Sequence, residues 1–213
     1  MIQKRKSKSR FLIIGSFLII FGLVALAGKY VYNYSLNKSD EEKVEQFFEQ
    51  EKVNETKEEI EETIVEEKKE ETVVSDSYDY VGVLEIPSIK FKRGFLNTND
   101  KNNNLNKNIE VLQNSDMPDV ENGLMAIAGH SGTGRIAFFQ NLNKVKEKQQ
   151  IYIYYKNIKY IYEVVDNYEV EKNGVISIPK DKSSSVLVLT TCSPEDDGKQ
   201  VIVISKLIDK LDY

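Results

Sequence analysis

The chain holds one cysteine, Cys192, and one histidine, His130. These two residue types are the minimum set for nucleophilic acyl transfer. A thiolate attacks a carbonyl carbon, and an imidazole gives or takes the proton that the departing and arriving groups require. A free thiol titrates at about pH 8.5, so a neighbouring imidazolium or guanidinium favours thiolate at neutral pH. A single cysteine can make no internal disulfide, and its other common role is that of a small buried hydrophobe.

Both residues follow apolar runs. In Ile127-Ala128-Gly129-His130-Ser131-Gly132 the histidine sits where a predicted strand ends among small residues. The run Val186-Leu187-Val188-Leu189 leads straight into Thr190-Thr191-Cys192-Ser193-Pro194, and the proline stops the strand. Side chains at strand ends are held by a rigid scaffold yet stay within reach of a substrate.

The elements that must position this pair begin at Tyr78. From there, short runs rich in Val, Ile and Tyr alternate with Asn-, Gly-, Asp- and Lys-rich punctuation. Strands are predicted near Val81–Ile86, Ile89–Phe91, Ile109–Gln113, Leu124–Ala128, Gln149–Tyr155, Ile158–Tyr168, Val175–Ile178, Val186–Thr191 and Val201–Leu207. Tyr155-Lys156-Asn157-Ile158 reads as a hairpin turn. Asn97–Asn108 reads as a polar, mobile loop. One short helix is predicted at Ala137–Leu142. Many short strands at regular spacing predict an all-β domain, a closed or nearly closed barrel, over residues 78–213.

The rest of the chain divides by charge and hydropathy. Residues 1–10 carry five cationic side chains and read as a cytoplasmic basic tail. Phe11 to Ala27 is an uncharged apolar run, followed by Tyr30, Tyr32 and Tyr34 as an interfacial aromatic belt. It reads as a single transmembrane anchor with the C-terminal part outside. The competing reading is a signal peptide cleaved after Ala25-Leu26-Ala27. Residues 28–77 read as an acidic stalk: between 40 and 71 stand fifteen Asp or Glu and five Lys. Val44, Phe47, Phe48, Val53, Ile60, Ile64 and Val65 are too thinly spread there to predict a core, though Glu–Lys pairs favour helical stretches. The remainder is near neutral and has no basic stripe, which argues against nucleic-acid binding.

From about Tyr80 to Leu207 the chain resembles the sortases. Tyr80-Val81-Gly82-Val83-Leu84-Glu85-Ile86-Pro87 resembles their first strand. Ala126-Ile127-Ala128-Gly129-His130 resembles their histidine motif, followed here by Phe138-Phe139-Gln140-Asn141-Leu142. Leu189-Thr190-Thr191-Cys192 resembles their Thr-Leu-x-Thr-Cys signature. The resemblance implies an eight-stranded β-barrel with short helices as catalytic domain. It also implies a reaction. Cys192 attacks the Thr carbonyl of a sorting signal similar to Leu-Pro-x-Thr-Gly, near the C-terminus of a secreted protein. A thioester forms and the Gly amine leaves. An amine of a peptidoglycan precursor or a pilin lysine then resolves the thioester. His130 protonates the leaving amine and deprotonates the incoming one. The resemblance implies no metal or organic cofactor in bond making.

One feature departs from the family pattern. The resemblance implies an arginine on the strand after the cysteine, to hold substrate and the developing oxyanion. No arginine follows Arg135. Lys199 or Gln200 stands at the expected place, and strand alternation lets only one of them face the site. Lys199 offers a point charge and Gln200 a neutral donor. Arg135, shortly after His130, is a displaced alternative, and Thr191 completes the substrate-binding candidates. The gap keeps a second function open, a membrane-anchored peptide-binding module on a sortase-like barrel. An L,D-transpeptidase fits less well, because Thr191-Cys192-Ser193-Pro194 lacks the His and Arg found beside that family's nucleophile.

Overall fold

Prolines are absent before Pro87, so nothing in the N-terminal quarter forces a helix to break. The computed structural model describes residues 5–58, 80–173, 178 and 183–213. In it Arg5–Glu58 form one α-helix, α1. Within α1, Ile14–Tyr32 is long and apolar enough to cross a membrane by length and composition. That span overlaps the expected 11–27 and takes in Tyr30 and Tyr32. The chain divides into two compact units, Met1–Glu41 and Glu42–Tyr213.

The second unit is an eight-stranded, nearly closed barrel. Its strands are β1 (Gly82–Ile86), β2 (Phe91–Phe95), β3 (Glu110–Val111), β4 (Leu124–Ala128), β5 (Gln150–Tyr155), β6 (Ile158–Glu171), β7 (Val186–Cys192) and β8 (Lys199–Asp212). Their order in the sheet is β2-β1-β5-β6-β8-β7-β4-β3. All neighbours are antiparallel except β4 and β7, which run parallel. The β5–β6 hairpin turns on Lys156 (φ 50°) and Asn157 (φ 58°). Two consecutive positive φ values are the conformation whose twist matches a tight hairpin.

Alternation explains the burial. Leu187 and Leu189 of β7 point into the main core, with Ile127, Phe139, Ile151, Tyr162, Val201 and Val203. Val186 and Val188 point the other way, into a second cluster with Ile202 that also takes Leu124, Ala126, Tyr168, Val170 and Ile178. A strand covered on both faces needs an unbroken apolar run, as β7 has.

The structure revises several local expectations. Pro87-Ser88-Ile89 forms a 3-10 turn rather than leading into a strand, and Lys90 is left-handed (φ 54°). The strand predicted at Ile89–Phe91 therefore begins at Phe91, where it carries the buried Arg93. The predicted helix at Ala137–Leu142 is a series of turns ending in one 3-10 turn, Leu142–Lys144. The segment expected at Val175–Ile178 lies mostly outside the described residues, and Ile178 itself is not in a strand. The Asn-rich loop is built of turns that its own side chains bond. Asn103 Nδ2 donates to Val111 O (2.8 Å) and Val111 N to Asn103 Oδ1 (2.9 Å).

Val44 and Phe47 of α1 are buried with Tyr80, Val83 and Leu96, and Phe48 packs at their edge. Too sparse to predict a core, they still share one helical face, being three and four residues apart. That face covers Val83, which packs with α1 and not in the main core that holds Leu84 and Ile86.

Candidate active site

The parallel β4–β7 ladder fixes the centre of the site. Its last rung pairs Ala128 with Thr190. Gly129 N–H donates to Thr190 O (3.1 Å), carrying the ladder one step further. His130 and Cys192 thus each lie two residues beyond the same rung, on strands whose neighbours in a sheet stand about 4.8 Å apart. Both side chains are partly exposed, and Cys192 is a free thiol.

The residues around this pair hold it in place. Thr191 is buried and donates its hydroxyl to Gly129 O (2.7 Å). Phe139 N–H donates to His130 O (2.9 Å). Phe139 also packs on Gly129 so closely that a Cβ there would come within 2.7 Å of its ring. Glycine before His130 is thus required by the close approach of that ring, and alanine would displace it. After Cys192, Ser193 Oγ donates to Glu169 Oε1 (2.6 Å) and accepts the Glu195 and Asp196 amides (3.1 and 3.2 Å). These bonds shape the turn between β7 and β8.

The β7–β8 register decides between Lys199 and Gln200 as to face. Cys192 pairs with Gln200, and residues directly opposite in an antiparallel ladder emerge on one side. Gln200 in turn pairs with Val170 of β6. Lys199 pairs with Glu171, has the opposite parity, and its Nζ lies 3.8 Å from Asp196 Oδ2. Arg135 is exposed in the loop that follows His130.

Two functional candidates were not legible in the sequence. Lys172, just past the end of β6, places its Nζ 3.1 Å from Cys192 Sγ. That contact with the sulfur, and the sulfur's charge, raise the Lys172 pKa; slight desolvation opposes them, and Asp197 adds to the rise. Nothing in the local sequence marks Lys172, and only the β6–β8–β7 register brings it near. Arg93 is the other. Its Nε donates to Asn108 Oδ1, and its guanidinium lies 3.6 Å from the centroid of Phe138 in the loop after His130. An alternating strand pattern would have given Arg93 a side facing the core. Among the described residues no group of three or more His, Cys, Asp or Glu is placed to hold a metal ion.

Comparison with known proteins identifies the family and the fold. A family model described as "Sortase domain" matches residues 84–208. Sortase A of Bacillus anthracis is 24% identical over 133 residues, 62% of this chain and 62% of that protein. Sortase D of Bacillus subtilis (strain 168) is 28% identical over 113 residues, 53% of this chain and 54% of that protein. The chain therefore aligns with less than two thirds of either relative. Among solved structures, a lid mutant of sortase A from Corynebacterium diphtheriae has a TM-score of 0.56 at 26% identity, over 62% of this chain and 72% of that one. The fold is also that of a Clostridium perfringens sortase C solved with the C-terminal cell wall sorting motif, at TM-score 0.54 and 22% identity over 62% of this chain and 71% of that one. The matched region runs from β1 into β8 and takes in both His130 and Cys192, and by it the chain belongs to the sortase family.

Proposed function

We propose that this chain is a membrane-anchored cysteine transpeptidase that cleaves a C-terminal sorting signal of secreted proteins and passes the acyl group to an amine. The observation that carries this reading is the shared rung, Ala128 with Thr190, from which His130 and Cys192 both follow. The Cys192 thiolate forms a C–S bond to the scissile carbonyl carbon. His130 gives its proton to the leaving amine as the C–N bond breaks. An incoming amine then attacks the thioester, loses a proton to His130, and releases the thiolate. Gln200, on the Cys192 side of the sheet, is the amide donor for the developing oxyanion.

The anchor would be the apolar part of α1, with the N-terminus cytoplasmic and the barrel outside, as the basic residues at 1–10 favour. The acceptor would be a peptidoglycan precursor or a pilin lysine. The test is thioester trapping on the full chain in detergent with sorting-type peptides. A Cys192 adduct lost in Cys192→Ala is expected; no adduct with any such peptide overturns the reading. In that case the lack of arginine after Arg135 favours the second reading, a peptide-binding module on the same barrel.

A further inference from the structure

The sulfur of Cys192 meets a cation that arrives from a different strand than the expected arginine. Three strands share one rung at the site: Val170 of β6 faces Gln200 of β8, and Gln200 faces Cys192 of β7. Lys172 lies two residues beyond Val170 and so keeps its parity. Its amide donates to Gly198 O (2.8 Å), which carries the β6–β8 pairing past the strand end. From there its side chain crosses β8 and brings Nζ to 3.1 Å from Sγ.

We propose that Lys172 is a catalytic residue of this chain, holding Cys192 as the thiolate, while Gln200 supplies the neutral donor. One arginine would unite the two roles; here a point charge and an amide on neighbouring strands divide them. The inference rests on reading Cys192 as the nucleophile. Lys172 keeps its proton throughout: it stabilises the sulfur anion before C–S bond formation and after thioester breakdown, and His130 carries the protons. The ionisable groups around the sulfur are few. His130 follows β4, Lys172 follows β6, and Glu195, Asp196 and Asp197 stand in the turn between β7 and β8. Asp197 acts on Lys172, Asp196 lies beside Lys199, and Lys199 and Glu171 share the opposite parity. Lys172 is thus the one cation hydrogen-bonded to the sulfur among the described residues.

The experiment needs no substrate peptide. Cys192 of the full chain in detergent is alkylated with iodoacetamide across pH, in the wild type, Lys172→Met, Lys172→Arg and the double variant Lys172→Met with Gln200→Arg. At neutral pH, Lys172→Met is expected to slow alkylation by about tenfold, the order produced by one adjacent charge. At strongly alkaline pH, where the thiol is ionised in either case, the two rates converge. Lys172→Arg keeps the wild-type profile, and the double variant recovers most of the loss. An unchanged neutral-pH rate in Lys172→Met overturns the inference. So does a loss that is equal at every pH, which would report access rather than charge. Melting temperatures of the variants guard against misfolding. If the profile shifts as expected while no peptide forms a thioester, the charge pairing stands and the transpeptidase reading falls; trapping without the shift gives the reverse.

Discussion

The hydroxyl of Thr191 is bonded to the carbonyl of Gly129 (2.7 Å), so the residues immediately before the two catalytic candidates are tied to each other. This bond joins the ends of β4 and β7 where their ladder stops. Thr191→Val keeps the shape but leaves the buried Gly129 carbonyl without this donor, which costs about 1–3 kcal/mol. The expected result is a lower melting temperature together with a loss of thioester formation, because the His130 turn is no longer fixed to the cysteine strand. Thr191→Ser keeps the donor and restores most of both. If Thr191→Val matches wild type in both measurements, the bond does not position the site.

The register pairs Cys192 with Gln200 and turns Lys199 to the other side. Removing an oxyanion donor typically lowers kcat by about 10²–10³-fold. Gln200→Ala is therefore expected to reduce kcat/KM for a fluorogenic sorting peptide by about a hundredfold, mainly through kcat. Lys199→Ala, which loses only an exposed contact with Asp196, should stay within about threefold of wild type. The opposite ranking would assign the donor role to Lys199.

Much of this site can be read from residue order, and the limits have physical causes. β4 and β7 announce themselves as apolar runs ending in His130 and Cys192, since both faces of β7 are covered. β2 lies further along than the strand expected at Ile89–Phe91, because Pro87-Ser88-Ile89 closes a 3-10 turn first. Arg93 is buried, with Asn108 and Phe138, far along the chain, receiving its guanidinium. Lys172 is hidden for a similar reason. Its distance from Cys192 depends on the β6–β8 register, which includes shifts near Ile161 and Val164 that no local pattern encodes. The choice between Lys199 and Gln200 likewise needed the ladder, because a strand's parity inverts with a one-residue slip.

The end of α1 belongs with the barrel it covers. Val44 and Phe47 bury against Tyr80, Val83 and Leu96, and Phe48 stacks edge-on with Tyr154 (5.0 Å) and Tyr213 (5.6 Å). Glu51 accepts the Asn157 amide (3.0 Å) at the β5–β6 turn and also the Tyr213 hydroxyl. Phe47→Ala should cost about 3 kcal/mol, the lower end for a buried phenylalanine, because the cluster is small. Urea unfolding of the full chain, followed by near-UV circular dichroism, measures this. Glu49→Ala, at an exposed position of the same segment, serves as the control and should change stability by less than about 0.5 kcal/mol. Equal stability of the two variants would mean that this segment only tethers the barrel.

Stability should also fall at alkaline pH, and the tyrosines set the direction. Burial, then the hydrogen bond to Glu85 (2.8 Å) and the charge of Glu85, raise the Tyr154 pKa. Burial, then the neighbouring Tyr160, raise that of Tyr162, and burial followed by Asp119 raises that of Tyr160. Each is raised in the folded chain above its unfolded value of about 10. Their contribution is therefore fully present below that pH and is lost as pH rises through the folded values, because the unfolded chain gives up phenolic protons that the folded chain keeps. Absorbance of phenolate near 295 nm, followed against pH, reads this directly. Tyr154, Tyr160 and Tyr162 should appear only with the unfolding transition. Tyr162→Phe removes one of the protons released, so its alkaline midpoint should move to higher pH. A single smooth titration of all tyrosines in a chain that stays folded would contradict the burial of these three rings.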